Sequence, residues 1–265
     1  MTHRPRHWLA ALTLLMAGLG AATAVRAASS IMIWPVDPLI EDGQRATALW
    51  LENRGNTNAS LQIRVLRWSQ NGAQDNYAEQ EQVIASPPLA VIPAGQRQLV
   101  RLMNTAPVPD GQEVSYRILV DELPDAENPG DRAQPATGSN AIGVKLQIRY
   151  SLPLFVHGKG LWTRPNPARA RDPATAARPA LQWRTVQEGQ AHYLAIRNTG
   201  NAHARLTQVQ WVGAAAPVAI NPGLLGYVLP GAEMRWLLPA PPPAGATPEL
   251  RVNGAPDAVR LERQP

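Results

Sequence analysis

Apolar and polar residues alternate along this chain in short blocks that turn signals interrupt, a pattern of strands rather than helices. The blocks predict strands over Ile31–Trp34, Thr47–Asn53, Leu61–Trp68, Gln98–Met103, Val114–Leu123 and Ile142–Val156. A second set follows at Leu181–Val186, Tyr193–Asn198, Leu206–Val212 and Met234–Leu238. Between them lie Glu41-Asp42-Gly43, Arg54-Gly55-Asn56, Asn71-Gly72 and Pro93-Ala94-Gly95, residues that tolerate tight turns. No segment holds a 3.6-residue period. The spacing predicts an all-β protein of β-sandwich type. The run from Leu51 to Leu61 also echoes Ile196–Leu206, with Asn53/Asn198, Gly55/Gly200, Asn56/Asn201, Ala59/Ala204 and Leu61/Leu206 in step. Two similar sandwiches in tandem explain that echo; a chance match of two ordinary glycine turns is the alternative.

Composition narrows this picture. The 265 residues allow one large domain or two small ones, and 45% hydrophobic residues can fill a core. Twenty-six prolines disfavour long helices. With no cysteine, a disulfide scaffold, a thiol nucleophile and a thiolate metal site are excluded. At the N-terminus, Arg4 and Arg6 precede the apolar run Trp8–Ala22 and the exit Val25-Arg26-Ala27. That order reads as a secretory signal peptide over residues 1–27, an uncleaved anchor being the alternative. Removal of Arg4, Arg6 and Arg26 lowers the formal net charge from +5 to +2, too little for a nucleic-acid-binding face. The expectation is an exported protein of the bacterial periplasm, the mature chain not inserted in a membrane. Its domains are expected over 28–157 and 158–265.

Catalytic chemistry finds little support, and no metal or cofactor site is expected. His157, His192 and His203 share no metal-ligand spacing and read as surface residues. The adjacent acids Asp121-Glu122 point to opposite sides of a strand and read as solvated charges. Neither a G-x-S-x-G elbow nor a phosphate-cradling loop is present.

The most informative segment is Asn140–His157. Val144, Leu146, Ile148, Tyr150 and Leu152 alternate with Lys145, Gln147, Arg149, Ser151 and Pro153, a sustained two-residue period. Periodicity alone leaves open an ordinary long strand that fills its own core. The polar connection Pro124–Ala141 before it is far longer than a usual hairpin loop. A long apolar strand fed by such a loop suits a surface that waits for a partner.

These residues resemble the periplasmic pilus (fimbrial) chaperones of the PapD type. Ile84-Ala85-Ser86-Pro87-Pro88, Ile92-Pro93-Ala94-Gly95 and Gln98–Leu102 resemble the approach to the family's fifth strand and the strand itself. Tyr116–Pro124 resembles the sixth strand, with Asp-Glu-Leu-Pro where Arg-Glu-Ile-Pro is usual, and Val144–Phe155 the seventh, G1. In the second half, Asn198-Thr199-Gly200-Asn201 and Leu229-Pro230-Gly231-Ala232 also fit. The resemblance implies two immunoglobulin-like β-sandwich domains in tandem with an inter-domain cleft. It implies donor-strand complementation: G1 fills the groove of a pilus subunit that lacks one strand, and the subunit passes to an outer-membrane usher. The matched donor positions are Val144, Leu146, Ile148, Tyr150 and Leu152. Burial of four or five such side chains is worth roughly 6–15 kcal/mol gross, part of which ordering and association offset.

One departure stands out. Family members bind the subunit's C-terminal carboxylate with an Arg on the first strand and a Lys near the end of G1; Pro38 and Pro153 occupy those positions here. Arg149 and Lys145 share a strand face with Pro153 and are candidate substitutes, as is Arg117 on the preceding strand. Arg101 matches a family arginine held in buried ion pairs. A different reading remains beside this one: an exported structural or carbohydrate-binding sandwich whose G1 stays in its own core.

Overall fold

A computed structural model describes residues 30–124, 147–165, 167–168, 170–213 and 216–265. The segment read as a signal peptide, most of the long loop, and Val144, Lys145 and Leu146 lie outside the described residues. The chain is nearly all β. In the first half the strands are β1 (Ile31–Trp34), β2 (Leu39–Ile40), β3 (Ala46–Asn53), β4 (Ala59–Asn71), β5 (Gln74–Ala78), β6 (Val83–Ser86), β7 (Leu89–Ile92), β8 (Arg97–Asn104), β9 (Glu113–Leu123) and β10 (Arg149–His157). In the second half they are β11 (Leu181–Glu188), β12 (Ala191–Asn198), β13 (Ala204–Val212), β14 (Val218–Val228), β15 (Glu233–Leu237), β16 (Thr247–Val252), β17 (Val259–Arg260) and β18 (Glu262–Arg263).

The strands form two sandwiches. One packs the sheet β1-β3-β8-β6 on the sheet β2-β10-β9-β4-β5, with β7 also paired to β4. The other packs β15-β12-β11-β18 on β14-β13-β16-β17. Alternation places one face of each strand inward: along β4, Ala59, Leu61, Ile63 and Val65 are buried while their neighbours are not.

The sequence echo corresponds to one structural device used twice. The Asn53 amide donates to the carbonyls of Thr57 (2.7 Å) and Ile92 (2.8 Å), and its side-chain oxygen accepts from the Gly55 N–H (2.9 Å). The Asn198 amide donates to Ala202 (2.7 Å) and Val228 (3.1 Å) and accepts from Gly200 (3.0 Å). Each asparagine is fully buried, so each side chain satisfies carbonyls that the turn would otherwise leave orphaned.

The two cores meet. Trp68 on β4 and Phe155 on β10 belong to the first sandwich but pack with Leu206, Val228, Leu229 and other apolar residues of the second. Gln70 adds a strand-like link: its amide donates to the Tyr227 carbonyl (2.9 Å) and accepts the Leu229 N–H (2.8 Å).

Several expectations need correction. His157 and His203 are not surface residues: His157 is buried and both bond to Glu113. Asp121 is buried between Arg64 and Arg149 rather than solvated. Arg101 is exposed on β8 and outside any buried ion pair, because it points away from the core that Val100 and Leu102 fill.

Candidate functional site

β10 and its surroundings hold the site. β10 runs antiparallel to β9, with Tyr150 opposite Val120, Pro153 opposite Arg117 and His157 opposite Glu113. The ladder reaches one step further, where the Glu122 N–H donates to the Ile148 carbonyl (3.1 Å). On the other edge, β2 pairs with β10 only at Phe155 and Val156. From Arg149 to Leu154 no strand among the described residues covers that edge. Uncovered main-chain groups of this kind are a template for another strand. Pro153 is tolerated there because it has no N–H to lose.

The side chains of β10 divide by parity. Leu152, Leu154 and Val156 lie in the first domain's core, with Tyr150 packed against it half-buried. Burial falls away toward the strand's N-terminus, from 7% exposure at Leu152 to 37% at Ile148. Leu152 is thus a core residue of its own domain, and Ile148 is an apolar residue that the domain leaves exposed.

The opposite parity faces the second domain. Phe155 is 1% exposed and lies flat on the His203 ring, with centroids 3.4 Å apart. Trp68 meets Tyr227 edge-on at 5.5 Å. Arg117 lies over the Trp68 ring at 3.9 Å and within 6 Å of the Tyr77 and Tyr227 rings. The Nε atoms of Arg117 and Arg205 are buried without a hydrogen-bond partner. Burial pushes the Tyr77 and Tyr227 hydroxyls up despite the Arg117 charge, so both remain neutral. Arg205 is the cross-strand neighbour of Tyr227. Sequence reasoning missed Arg205 and Tyr227, because β14 contains Asn221-Pro222-Gly223 and reads as a loop.

Arg149 is placed differently. It is 61% exposed and ion-pairs with Asp121, which also holds Arg64 at 3.0 Å. Burial pushes the Asp121 carboxyl up, but the two arginines outweigh this and hold it below the usual range. Arg149 and Arg117 therefore occupy separate places: one at the open N-terminal end of β10, the other in the cleft.

A family model described as "Pili and flagellar-assembly chaperone, PapD N-terminal domain" matches residues 32–161. A chain of the CsuC–CsuE chaperone–tip adhesion subunit pre-assembly complex, from the archaic chaperone–usher Csu pili of Acinetobacter baumannii, is 32% identical. The match covers 89% of this chain and 100% of that one, with a TM-score of 0.68. The chain belongs to the PapD-like pilus assembly chaperones. Two more distant structures share the fold. The E. coli chaperone DraB is 18% identical, at a TM-score of 0.55 over 89% of this chain and 97% of its own. A chain of the Salmonella enterica SafA pilin–SafB chaperone complex is 16% identical, at 0.55 over 89% and 96%. No curated protein matches the chain. Membership accounts for the two tandem sandwiches and gives this chaperone its class of work, the assembly of pili. Among the described residues no helix is long and apolar enough to cross a membrane.

Proposed function

We propose that this chaperone binds pilus subunits by donating β10 and the segment before it to the subunit's incomplete sandwich. The observation that carries the reading is the open edge of β10 beside an apolar face whose burial falls away to an exposed Ile148. Backbone groups of the edge extend the subunit's sheet, and apolar side chains enter its groove. Val144, Leu146 and Ile148 are the donor side chains; Tyr150 contributes its exposed part. Leu152 anchors the strand in the chaperone instead.

Arg117 is the anchor for the subunit's C-terminal carboxylate. It stands directly across the ladder from Pro153, so its guanidinium supplies the cleft with the charge that Pro153 lacks. Its buried Nε has no partner, as a group that awaits an anion would. Arg149 lies four residues, roughly 13 Å, along β10 from Pro153 and is committed to Asp121. Lys145, outside the described residues, is the weaker candidate. Division of the chain at 157/158 fits this reading, since the first domain ends with the donor strand. A signal peptide over 1–27 directs it to the periplasm, and an outer-membrane usher receives the loaded complex.

The test is a pull-down of tagged chaperone from the periplasm of a host that is assembling pili. A β-rich partner at 1:1, lost with Ile148→Asp and weakened by Arg117→Gln, is the expected result. An unmodified chaperone that elutes alone from such cells would move the weight to an exported binding module.

A further inference from the structure

We propose that Glu113, His157 and His203 form a proton-operated latch that sets how tightly the two domains dock. Glu113 opens β9 and His157 closes β10, as cross-strand partners. The turn before β13 brings His203 from the second domain. One carboxylate oxygen accepts from both imidazoles, His157 Nε2 at 3.1 Å and His203 Nδ1 at 2.9 Å. The other accepts the His203 backbone N–H at 2.9 Å. The Glu113 and His157 side chains are fully shielded from solvent, and that of His203 is 17% exposed.

No arginine or lysine is bonded to this carboxylate in the described contacts. With both imidazoles neutral, all three hydrogen bonds form, yet the site buries one uncompensated negative charge, which is costly. One added proton brings the charge to zero. His203 is the group built to take it. Its ring lies parallel to Phe155 at 3.4 Å and 2°, a face-to-face arrangement that two neutral rings avoid but that suits a cation over a phenyl face. His157 is the wrong host: its Nδ1 is buried without a partner, and a proton there would be an unpaired buried donor. Docking is therefore tightest with one proton bound. It loosens when that proton leaves, and again when a second arrives or Glu113 is neutralised.

The Tyr227 ring lies 6.3 Å from that of His203; the charges that act on it are Arg205, Arg117 and Asp37. Asp110 and Lys159, on the adjoining turns, are exposed. The bridge from Gln70 to Tyr227 and Leu229 is uncharged, while on the far side of the junction Glu41 holds Arg171 at 3.6 Å and accepts from Thr163 at 2.6 Å, and Asp42 accepts the Gly160 N–H at 3.0 Å.

The chain has no cysteine, so one dye on Glu79→Cys and one on Asp257→Cys report the distance between domains by single-molecule energy transfer. At constant ionic strength the distribution should narrow as pH falls from the alkaline side and broaden again at acid pH. His203→Gln, which keeps a donor but cannot take a proton, should abolish the narrowing between about pH 9 and 6. Glu113→Gln should flatten the whole profile. A width that is constant from about pH 5 to 9 in the unmodified chain overturns the latch. An unchanged profile in His203→Gln overturns it equally, and that variant decides alone if Glu113→Gln does not fold.

Discussion

Replacement of Phe155, the chain's one phenylalanine, by alanine tests how the two domains are held. The side chain extends from β10 toward the second domain, 1% exposed, against His203, with the Trp68 and Tyr227 rings at 6.1 and 6.4 Å. Its partners belong to different domains, so the void cannot close without a shift of one sandwich on the other. A cost near the usual Phe→Ala range, about 3–5 kcal/mol, follows. For a chain of this size each kcal/mol lowers Tm by about 2–4 °C, so a fall of roughly 6–20 °C is expected in a thermal scan. Leu152, Leu154 and Val156 face the other way and keep the first domain's core. The loss should therefore appear as earlier release of the second domain, with Phe155→Leu intermediate. A Tm within about 2 °C of the unmodified chain would refute the claim that this ring joins the two cores.

Other outcomes follow from the same contacts. Asn198→Ala orphans the Ala202 and Val228 carbonyls and should cost about 1–3 kcal/mol or more by denaturant titration; Asn53→Ala should do the same to the first domain. Gly158→Ala places a Cβ 1.9 Å from the Pro109 carbonyl oxygen, so the junction must shift and soluble yield and Tm should both drop. The Glu113 carboxyl is pushed up by burial but held below its ordinary 4.5 by hydrogen bonds and charge from His157 and His203. Its contribution is then present above about pH 4.5 and lost as pH falls through the lower folded value, so Glu113→Gln should flatten the acid limb of a stability–pH curve. Arg117→Gln should weaken subunit binding tenfold or more, about 1.4 kcal/mol, and Arg149→Gln by less, measured by competition for refolding subunit.

The sandwich architecture was legible because inward and outward residues alternate cleanly on the central strands: β1, β3, β8, β9, β11 and β12 lie within two residues of their predicted bounds. The missed strands have physical reasons. β5 is polar and exposed throughout, paired only to β4 as a hairpin extension. β6 and β7 flank Pro87-Pro88, and β16 contains Pro248. β14 follows β13 through repeated register shifts, which erase its period. The site was legible in part. Periodicity found an apolar face on β10 but could not show where the domain's own core ends, which depends on how far the facing sheet β1-β3-β8-β6 extends beneath it. Nor could it place His203 against Glu113, 90 residues apart in the chain. Isolated histidines and acids carry no pattern until two domains bring them together.

Hydrogen exchange on the purified chaperone–subunit complex tests the central claim most directly. The N–H groups of the β10 edge from Arg149 to Leu154 that β9 does not bond should exchange freely in the chaperone alone. They should become protected when subunit binds, together with the segment leading into Ile148. Strong protection there, absent in Ile148→Asp, is the predicted result. A stable 1:1 complex in which these amides exchange as fast as in the free chaperone would contradict strand donation and place the binding surface elsewhere.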